Sequence, residues 1–306
     1  MKPKITIIGA AGAVGASTAF ALMQSNVAEK LVLLDLAAEK VAGEVHDLAQ
    51  CAAFSGGTKV VGGNDYALCS DSDLIIITAG APQKVGETRL DLIQKNANIL
   101  KSILTQVLAH NTRATIMTVA NPVDVLAYVA KQVTGFDSNR VFGTGTLLDT
   151  GRLLEKVSMH RNVPISSISG YVFGEHGDSQ FIPWSLLRVN GESVDLTDIE
   201  KAEIAEYTKH SAYEIIKNKG ATYYAIASAI AQLVSYMYDG STHTLPLSTL
   251  HENIDGVENV YISTLAKVHN GIIVETIMPE LPQDEFAKLV ASASLLKANQ
   301  DSLKLD

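Results

Sequence analysis

A histidine between glycines and carboxylates, Gly174-Glu175-His176-Gly177-Asp178-Ser179, follows the apolar run Tyr171-Val172-Phe173. A strand that ends there in a sharp turn holds an imidazole at the rim of a sheet. The ordinary pKa of histidine lies nearest neutrality, which suits it to give and take a proton. The plain alternative is a loop histidine with one structural hydrogen bond, so the surrounding residues must decide. Arg89 and Arg152 are each able to grip a carboxylate or polarise a carbonyl through paired N–H groups. Asp149, three residues before Arg152, could orient an imidazole and stabilise its charged form, or simply cap a helix.

These side chains need a scaffold, and the hydrophobic pattern supplies one. Short apolar, β-branched runs at 5–9, 31–35, 58–62, 74–78, 115–118 and 140–143 alternate with helical patterns at 16–24, 39–54, 87–110 and 123–134. Such runs suit strands buried on both faces, so the expected architecture is α/β, a Rossmann-type doubly wound parallel sheet with ligands at the carboxyl ends of its strands. Beyond 148 the pattern changes. A helix is expected at 150–160, then the His176 turn, a strand at 185–189 and a hairpin turn at Asn190-Gly191. Helices at 199–218 and 222–238, strands at 244–250, 259–266 and 271–277, and a last helix at 282–303 complete an α+β half. Two domains are therefore expected, 1–148 and 149–306.

Composition narrows the partners. With 306 residues, 47% hydrophobic and 19% charged, the chain reads as an ordinary globular protein. A net charge of −9 argues against nucleic acid and anionic membranes as partners, though a few arginines can still set a local positive site. Cys51 and Cys69 form no CxxC, the other histidines show no metal-ligand spacing, and no metal is expected. The start Met1-Lys2-Pro3-Lys4 runs straight into a strand, which leaves no room for a signal peptide and makes the cytoplasm the expected location.

The first strand leads into Gly9-Ala10-Ala11-Gly12-Ala13-Val14-Gly15. Gly9 allows the tight turn, Gly12 lets backbone approach a pyrophosphate, and Gly15 lets helix pack on strand. The helix N-terminus then offers unpaired N–H groups to phosphates. The G-x-x-G-x-x-G spacing is one residue longer than the common fingerprint. Asp35, ending the second strand, strengthens it: an acid there binds a ribose 2′-hydroxyl and repels a 2′-phosphate, favouring NAD over NADP.

Three further stretches follow strands: Thr78-Ala79-Gly80-Ala81-Pro82-Gln83-Lys84-Val85-Gly86-Glu87-Thr88-Arg89, Val119-Ala120-Asn121-Pro122-Val123-Asp124, and Gly143-Thr144-Gly145-Thr146-Leu147-Leu148-Asp149-Thr150-Gly151-Arg152. Taken with the His176 loop, and in this order, they resemble the L-lactate/malate dehydrogenase family of NAD-dependent 2-hydroxyacid dehydrogenases, from Lys4 to the end of the chain. The resemblance implies that His176 exchanges the proton, Asp149 fixes its tautomer, Arg152 clamps the substrate carboxylate, and Arg89 swings in on a mobile loop. It implies substrate contacts at Gln83, Asn121, Asp124 and Thr222, and a cis bond before Pro122. Beside the glycines and Asp35, cofactor contacts are implied at Val14, Lys40, Tyr66, Gly80, Ala81, Val119, Asn121 and Thr144.

Substrate choice turns on Gln83, where malate-specific members carry arginine. A neutral glutamine leaves a second substrate carboxylate desolvated without a partner, which costs on the order of several kcal/mol. Pyruvate and L-lactate are therefore expected rather than oxaloacetate and malate. Val85, the stretch 263–271 and Gln180-Phe181-Ile182-Pro183-Trp184 depart from the common pattern and leave room for a branched acid, as in an L-2-hydroxyisocaproate-type enzyme. A non-catalytic NAD-binding protein is the alternative from another class. Leu154 and Ser169 stand where fructose 1,6-bisphosphate-activated relatives have arginine and histidine, so no such activation is expected. The resemblance also implies a homotetramer, with a dimer as the other possibility.

Overall fold

The computed structural model describes residues 2–82 and 86–305. Six parallel strands, β1 (Lys4–Ile8), β2 (Lys30–Leu34), β3 (Lys59–Gly63), β4 (Leu74–Ile77), β5 (Thr115–Thr118) and β6 (Val141–Gly143), lie in the order β3-β2-β1-β4-β5-β6. Strands β4 and β5 are buried throughout, as continuous apolar or β-branched runs in a two-sided sheet should be. Helices α1 (Ala13–Gln24), α2 (Ala38–Cys51), α3 (Arg89–Leu108) and α4 (Val123–Thr134) connect them. The strand order reverses between β1 and β4, and that switch point opens a crevice at the carboxyl ends.

The second half begins with α5 (Leu147–Arg161), three residues earlier than the sequence pattern suggests, so Asp149 and Arg152 lie near its N-terminus. A small antiparallel sheet follows, formed by β7 (Ile168–Ser169), β8 (Arg188–Val189) and β9 (Glu192–Ser193). The longer strand expected at 185–189 is replaced by a 3₁₀ turn, Trp184–Leu186, ahead of the short β8. Glu285 captures both the Ser185 N–H, at 3.0 Å, and the Ser185 hydroxyl, which draws that backbone out of ladder pairing. The hairpin turn is present: Asn190 and Gly191 both take positive φ between β8 and β9.

Helices α6 (Asp198–Lys219) and α7 (Tyr224–Tyr238) precede strands β10 (His243–Ile254), β11 (Val257–His269) and β12 (Ile272–Ile277), and α8 (Gln283–Asp301) closes the described chain. Strands β10–β12 do not form a sheet of their own. Strand β10 pairs antiparallel with β6 at Ser248 and Gly143, so the main sheet runs on to nine strands. This covers the edge that β6 would otherwise expose. Among the described residues, no helix is long and apolar enough to cross a membrane.

Candidate active site

The His176 loop is fixed by its own main chain. Gly174, at φ +94°, exchanges backbone hydrogen bonds with Ser263 of β11. The Glu175 N–H donates to Ser292 Oγ of α8 at 2.9 Å, and the His176 N–H donates to Asp124 Oδ2 of α4 at 2.8 Å. Three successive residues are thus tied to three different elements, a rigid mount for the imidazole.

The imidazole points its Nδ1 at Asp149, 2.5 Å from Oδ2. The other Asp149 oxygen accepts from Arg152 Nη1 at 2.8 Å. Asp149 is 2% exposed. Burial alone would raise its pKa, but His176 and then Arg152 outweigh that and hold the carboxyl below its usual range. Burial would likewise lower the His176 pKa, yet the charge and hydrogen bond of Asp149 carry it above the ordinary histidine value. With Nδ1 engaged, Nε2 is the nitrogen free for exchange.

A cavity of about 420 Å³ opens in front of this pair. His176, Asp149, Arg152, Asn121 and Thr222 line it, as do Val14, Val119 and Thr144 from the strand ends and α1. Asn121 precedes Pro122 through a cis peptide bond. Ala212, Tyr213 and Ile216 of α6 and Ile226 of α7 add apolar surface to the lining, with Lys209 of α6 beside them. Asp124 is not part of the lining; it is 1% exposed and lies behind the histidine loop.

Arg89 stands apart from the cavity lining. It is the first residue of α3, whose N-cap is Thr88 in a reciprocal capping box with Asp91. Its guanidinium pairs with the buried carboxylate of Glu175 and lies 3.8 Å from Asp178 Oδ2. Both partners flank His176 in sequence, so Arg89 waits beside the histidine loop. Gln83 and Val85 lie outside the described residues.

The nucleotide crevice fits its glycine pattern. A Cβ on Gly15 would meet Gly9 O at 2.3 Å, and one on Gly9, at φ +90°, would meet Ala79 N at 2.6 Å. A Cβ on Gly12 would meet only Gly9 O, at 3.2 Å, so its outer side is open to a ligand. Gly12 caps α1 without a side chain or a first-turn acid, which leaves the helix N–H groups for an anion. Asp35 follows β2 and accepts from the Ala11 N–H and the Ala37 N–H, each at 3.1 Å. It lines a second cavity of about 420 Å³ with Gly9, Tyr66, Ile99 and Ile103, largely apolar and open enough for a flat base. Lys40 is exposed on α2 and lines neither cavity.

Some contributors are not visible as motifs. Asn96 accepts from the Ala81 N–H at 2.8 Å and donates to the Asn121 carbonyl at 2.8 Å, so it staples the loop after β4, at Gly80-Ala81, to the one after β5. Its signal was a polar residue on the apolar stripe of α3, between Ile93 and Leu100. The α6 face around Lys209 and Tyr213 carries no comparable signal. Lys209 donates to the Asp178 carbonyl at 2.9 Å and closes the rim.

Comparison with known proteins agrees with this geometry. Residues 3–143 match the family model for the lactate/malate dehydrogenase NAD binding domain, and residues 146–304 match that for the lactate/malate dehydrogenase alpha/beta C-terminal domain. An L-lactate dehydrogenase from Clostridium botulinum (strain Hall) is 43% identical over 303 residues, covering 96% of this chain and 95% of its own. One from Clostridium perfringens (strain SM101) is 39% identical over 312 residues, covering 99% and 98%. Among solved structures, the minor L-lactate dehydrogenase from Enterococcus mundtii in a ligand-bound form superposes with a TM-score of 0.95 at 35% identity, covering 100% of this chain and 99% of that one. A lactate dehydrogenase from a Medee basin deep-sea metagenome library gives 0.92 at 34% identity, covering 98% of each chain. The likeness runs nearly end to end through both halves, and the chain belongs to the NAD-dependent lactate/malate dehydrogenase family.

Proposed function

We propose that the protein is an NAD-dependent L-lactate dehydrogenase that interconverts pyruvate and L-lactate. The observation that carries this reading is the chain of contacts from Arg152 through Asp149 to His176 in the lining of a small cavity that also has apolar residues in its wall. The L-lactate dehydrogenases among its relatives support the same substrate pair.

The 9–15 turn, Asp35 and the cavity beside Tyr66 would hold NAD, which when bound would supply the hydride acceptor or donor. Val119 lines the cavity at the reacting end, and Gly80 and Ala81 are assigned to the cofactor with it. The protein's own groups then handle charge and protons. In pyruvate reduction His176 is protonated, and its Nε2–H donates to the carbonyl oxygen and passes to it as the alkoxide forms. Asp149 keeps Nδ1 protonated and steadies the imidazolium. In lactate oxidation the neutral Nε2 takes the hydroxyl proton. Arg152 grips the substrate carboxylate with the N–H groups it does not give to Asp149. Asn121 donates to the reacting oxygen, and Thr222 with the α6 face encloses the methyl group. Arg89 leaves Glu175, moves in over the substrate and adds positive charge at the carbonyl while water is displaced.

Gln83 supports pyruvate over oxaloacetate by its neutrality, because a second carboxylate would find no cation there. We read residues 1–148 as the cofactor half and 149–306 as the catalytic half, working as a cytoplasmic homotetramer. Leu154 and Ser169 offer no charge to a sugar bisphosphate, so fructose 1,6-bisphosphate leaves the pyruvate KM unchanged. The reading is tested by following NADH oxidation with pyruvate in the wild type and in His176→Asn. The variant should lose several decades of kcat on the scale of general acid loss, about 10³-fold or more, and still bind NADH. Retention of turnover by the variant would reject His176 as the proton carrier.

A further inference from the structure

Asp124 lies in the first turn of α4 and is almost completely buried, yet it does not face the substrate cavity. Its Oδ2 accepts the main-chain N–H of His176 at 2.8 Å, across more than fifty residues of chain. Its Oδ1 is buried without a well-formed hydrogen bond among the described residues, although the Ser248 hydroxyl is close enough to favour the negative form of the carboxyl. A carboxylate held this way is costly, and the His176 N–H is the hydrogen bond that offsets part of the cost. The N-terminus of α4 favours its negative form, while burial opposes it.

The imidazole therefore stands between two buried acids from two helices, Asp149 of α5 against its ring and Asp124 of α4 against its main chain. The other charged groups around it are Arg152 of α5, Lys209 of α6 at the cavity rim, and Glu175 and Asp178 on its own loop. Arg89 of α3 is taken up by those last two. Arg152 opposes the protonated ring, and Asp124 is the second negative charge that supports it.

We propose that Asp124 is a positioning residue for His176: its carboxylate pins the His176 main chain and sets a second buried negative charge against the imidazole. This differs from the substrate contact that the family resemblance implies at that position. It rests on the reading of His176 as the proton carrier. The Asp124 carboxyl is itself pushed above the usual range by burial, against the pull of Ser248 and of the His176 N–H and charge, so its ionisation depends on the histidine it supports. The two groups strengthen one another when both are charged.

Asp124→Asn keeps the shape and an oxygen able to accept the His176 N–H, and removes only the charge. Asp124→Ala removes both. Pyruvate reduction needs the protonated ring, so its alkaline limb reports the His176 pKa. In Asp124→Asn that limb should move to lower pH by about half a unit or more, with NADH Kd unchanged. In Asp124→Ala, kcat should fall a further tenfold or so below Asp124→Asn, with pyruvate KM within about twofold of wild type. If Asp124→Ala does not fold, the Asp124→Asn pH profile decides alone. An unmoved alkaline limb in Asp124→Asn overturns the proposal. So does a rise in pyruvate KM with kcat retained, which would make Asp124 a substrate contact. His176→Asn measured in parallel separates the two readings. If it still turns over pyruvate, the role of His176 fails first, whatever the Asp124 variants do.

Discussion

The Nδ1 atom of His176 lies 2.5 Å from Oδ2 of Asp149, whose other oxygen accepts from Arg152 at 2.8 Å. One buried carboxylate therefore joins the proposed proton carrier to the group proposed to hold the substrate. Arg152 and His176 are aligned through a shared partner, and this suits a reaction in which carboxylate binding and proton transfer must occur on the same small molecule.

Asp149 raises the His176 pKa, so removing its charge has a defined sign. Pyruvate reduction uses the protonated imidazole and declines as pH rises through the pKa. Asp149→Asn should shift that alkaline limb to lower pH and reduce kcat by roughly two to four orders of magnitude, by analogy with the loss of an orienting aspartate in a hydrolase triad. Steady-state rates across the pH range check both. A wild-type profile in the variant would mean that Asp149 serves only as a structural anchor.

Arg152→Lys keeps a positive charge but loses the planar fork. The expected loss in kcat/KM for pyruvate is on the order of 10²-fold, with NADH affinity unchanged. A change confined to NADH binding would remove Arg152 from the substrate side.

Asp35 follows β2 beside the glycine turn, and its carboxylate is proposed to exclude a 2′-phosphate. Asp35→Asn should raise the NADPH-to-NADH ratio of kcat/KM by about tenfold or more, mostly by admitting NADPH. Parallel assays with both cofactors measure the ratio. An unchanged ratio would place cofactor discrimination elsewhere.

Much of this was readable in the sequence because the chemistry sits next to the signals that end strands and begin helices. The Gly9–Gly15 turn, Asp35, Asn121 and Asp149 all lie at carboxyl ends of strands or helix starts, and the alternation of apolar runs locates those points. The His176 loop stood out by its composition. What could not be read is long-range: that Arg89 rests on Glu175, that Asn96 joins two loops, and that Asp124 reaches the His176 N–H. Those contacts cross elements far apart in sequence, and no local periodicity encodes them. The 185–189 segment was misjudged for a similar reason, since Glu285 takes its hydrogen bonds from a distant helix.

His251 gives a stability prediction independent of catalysis. It is buried on β10 with its Nε2 2.9 Å from Thr264 Oγ1, whose hydroxyl donates to the Ile277 carbonyl at 3.0 Å, and burial lowers its pKa from 6.5 to about 4. The unfolded chain takes up this proton near its ordinary pKa, before the folded one does. Stability is therefore complete above about pH 6.5 and is lost as pH falls toward 4, by up to about 3 kcal/mol from this group. Urea midpoints at pH 7 and pH 5 should differ in the wild type, and less in His251→Gln. An equal difference in both would assign the acid sensitivity to other groups.

The central claim, that this cavity is built for pyruvate, is tested most directly by comparing kcat/KM for NADH oxidation with pyruvate, 2-oxoisocaproate and oxaloacetate. If Gln83 is the specificity residue, pyruvate should lead oxaloacetate by at least about a hundredfold, because glutamine carries no charge to pair a second carboxylate, and it should also lead the branched acid. Oxaloacetate in front would contradict the substrate assignment. The branched acid in front would leave His176, Asp149 and Arg152 in their roles and move the specificity to a wider pocket.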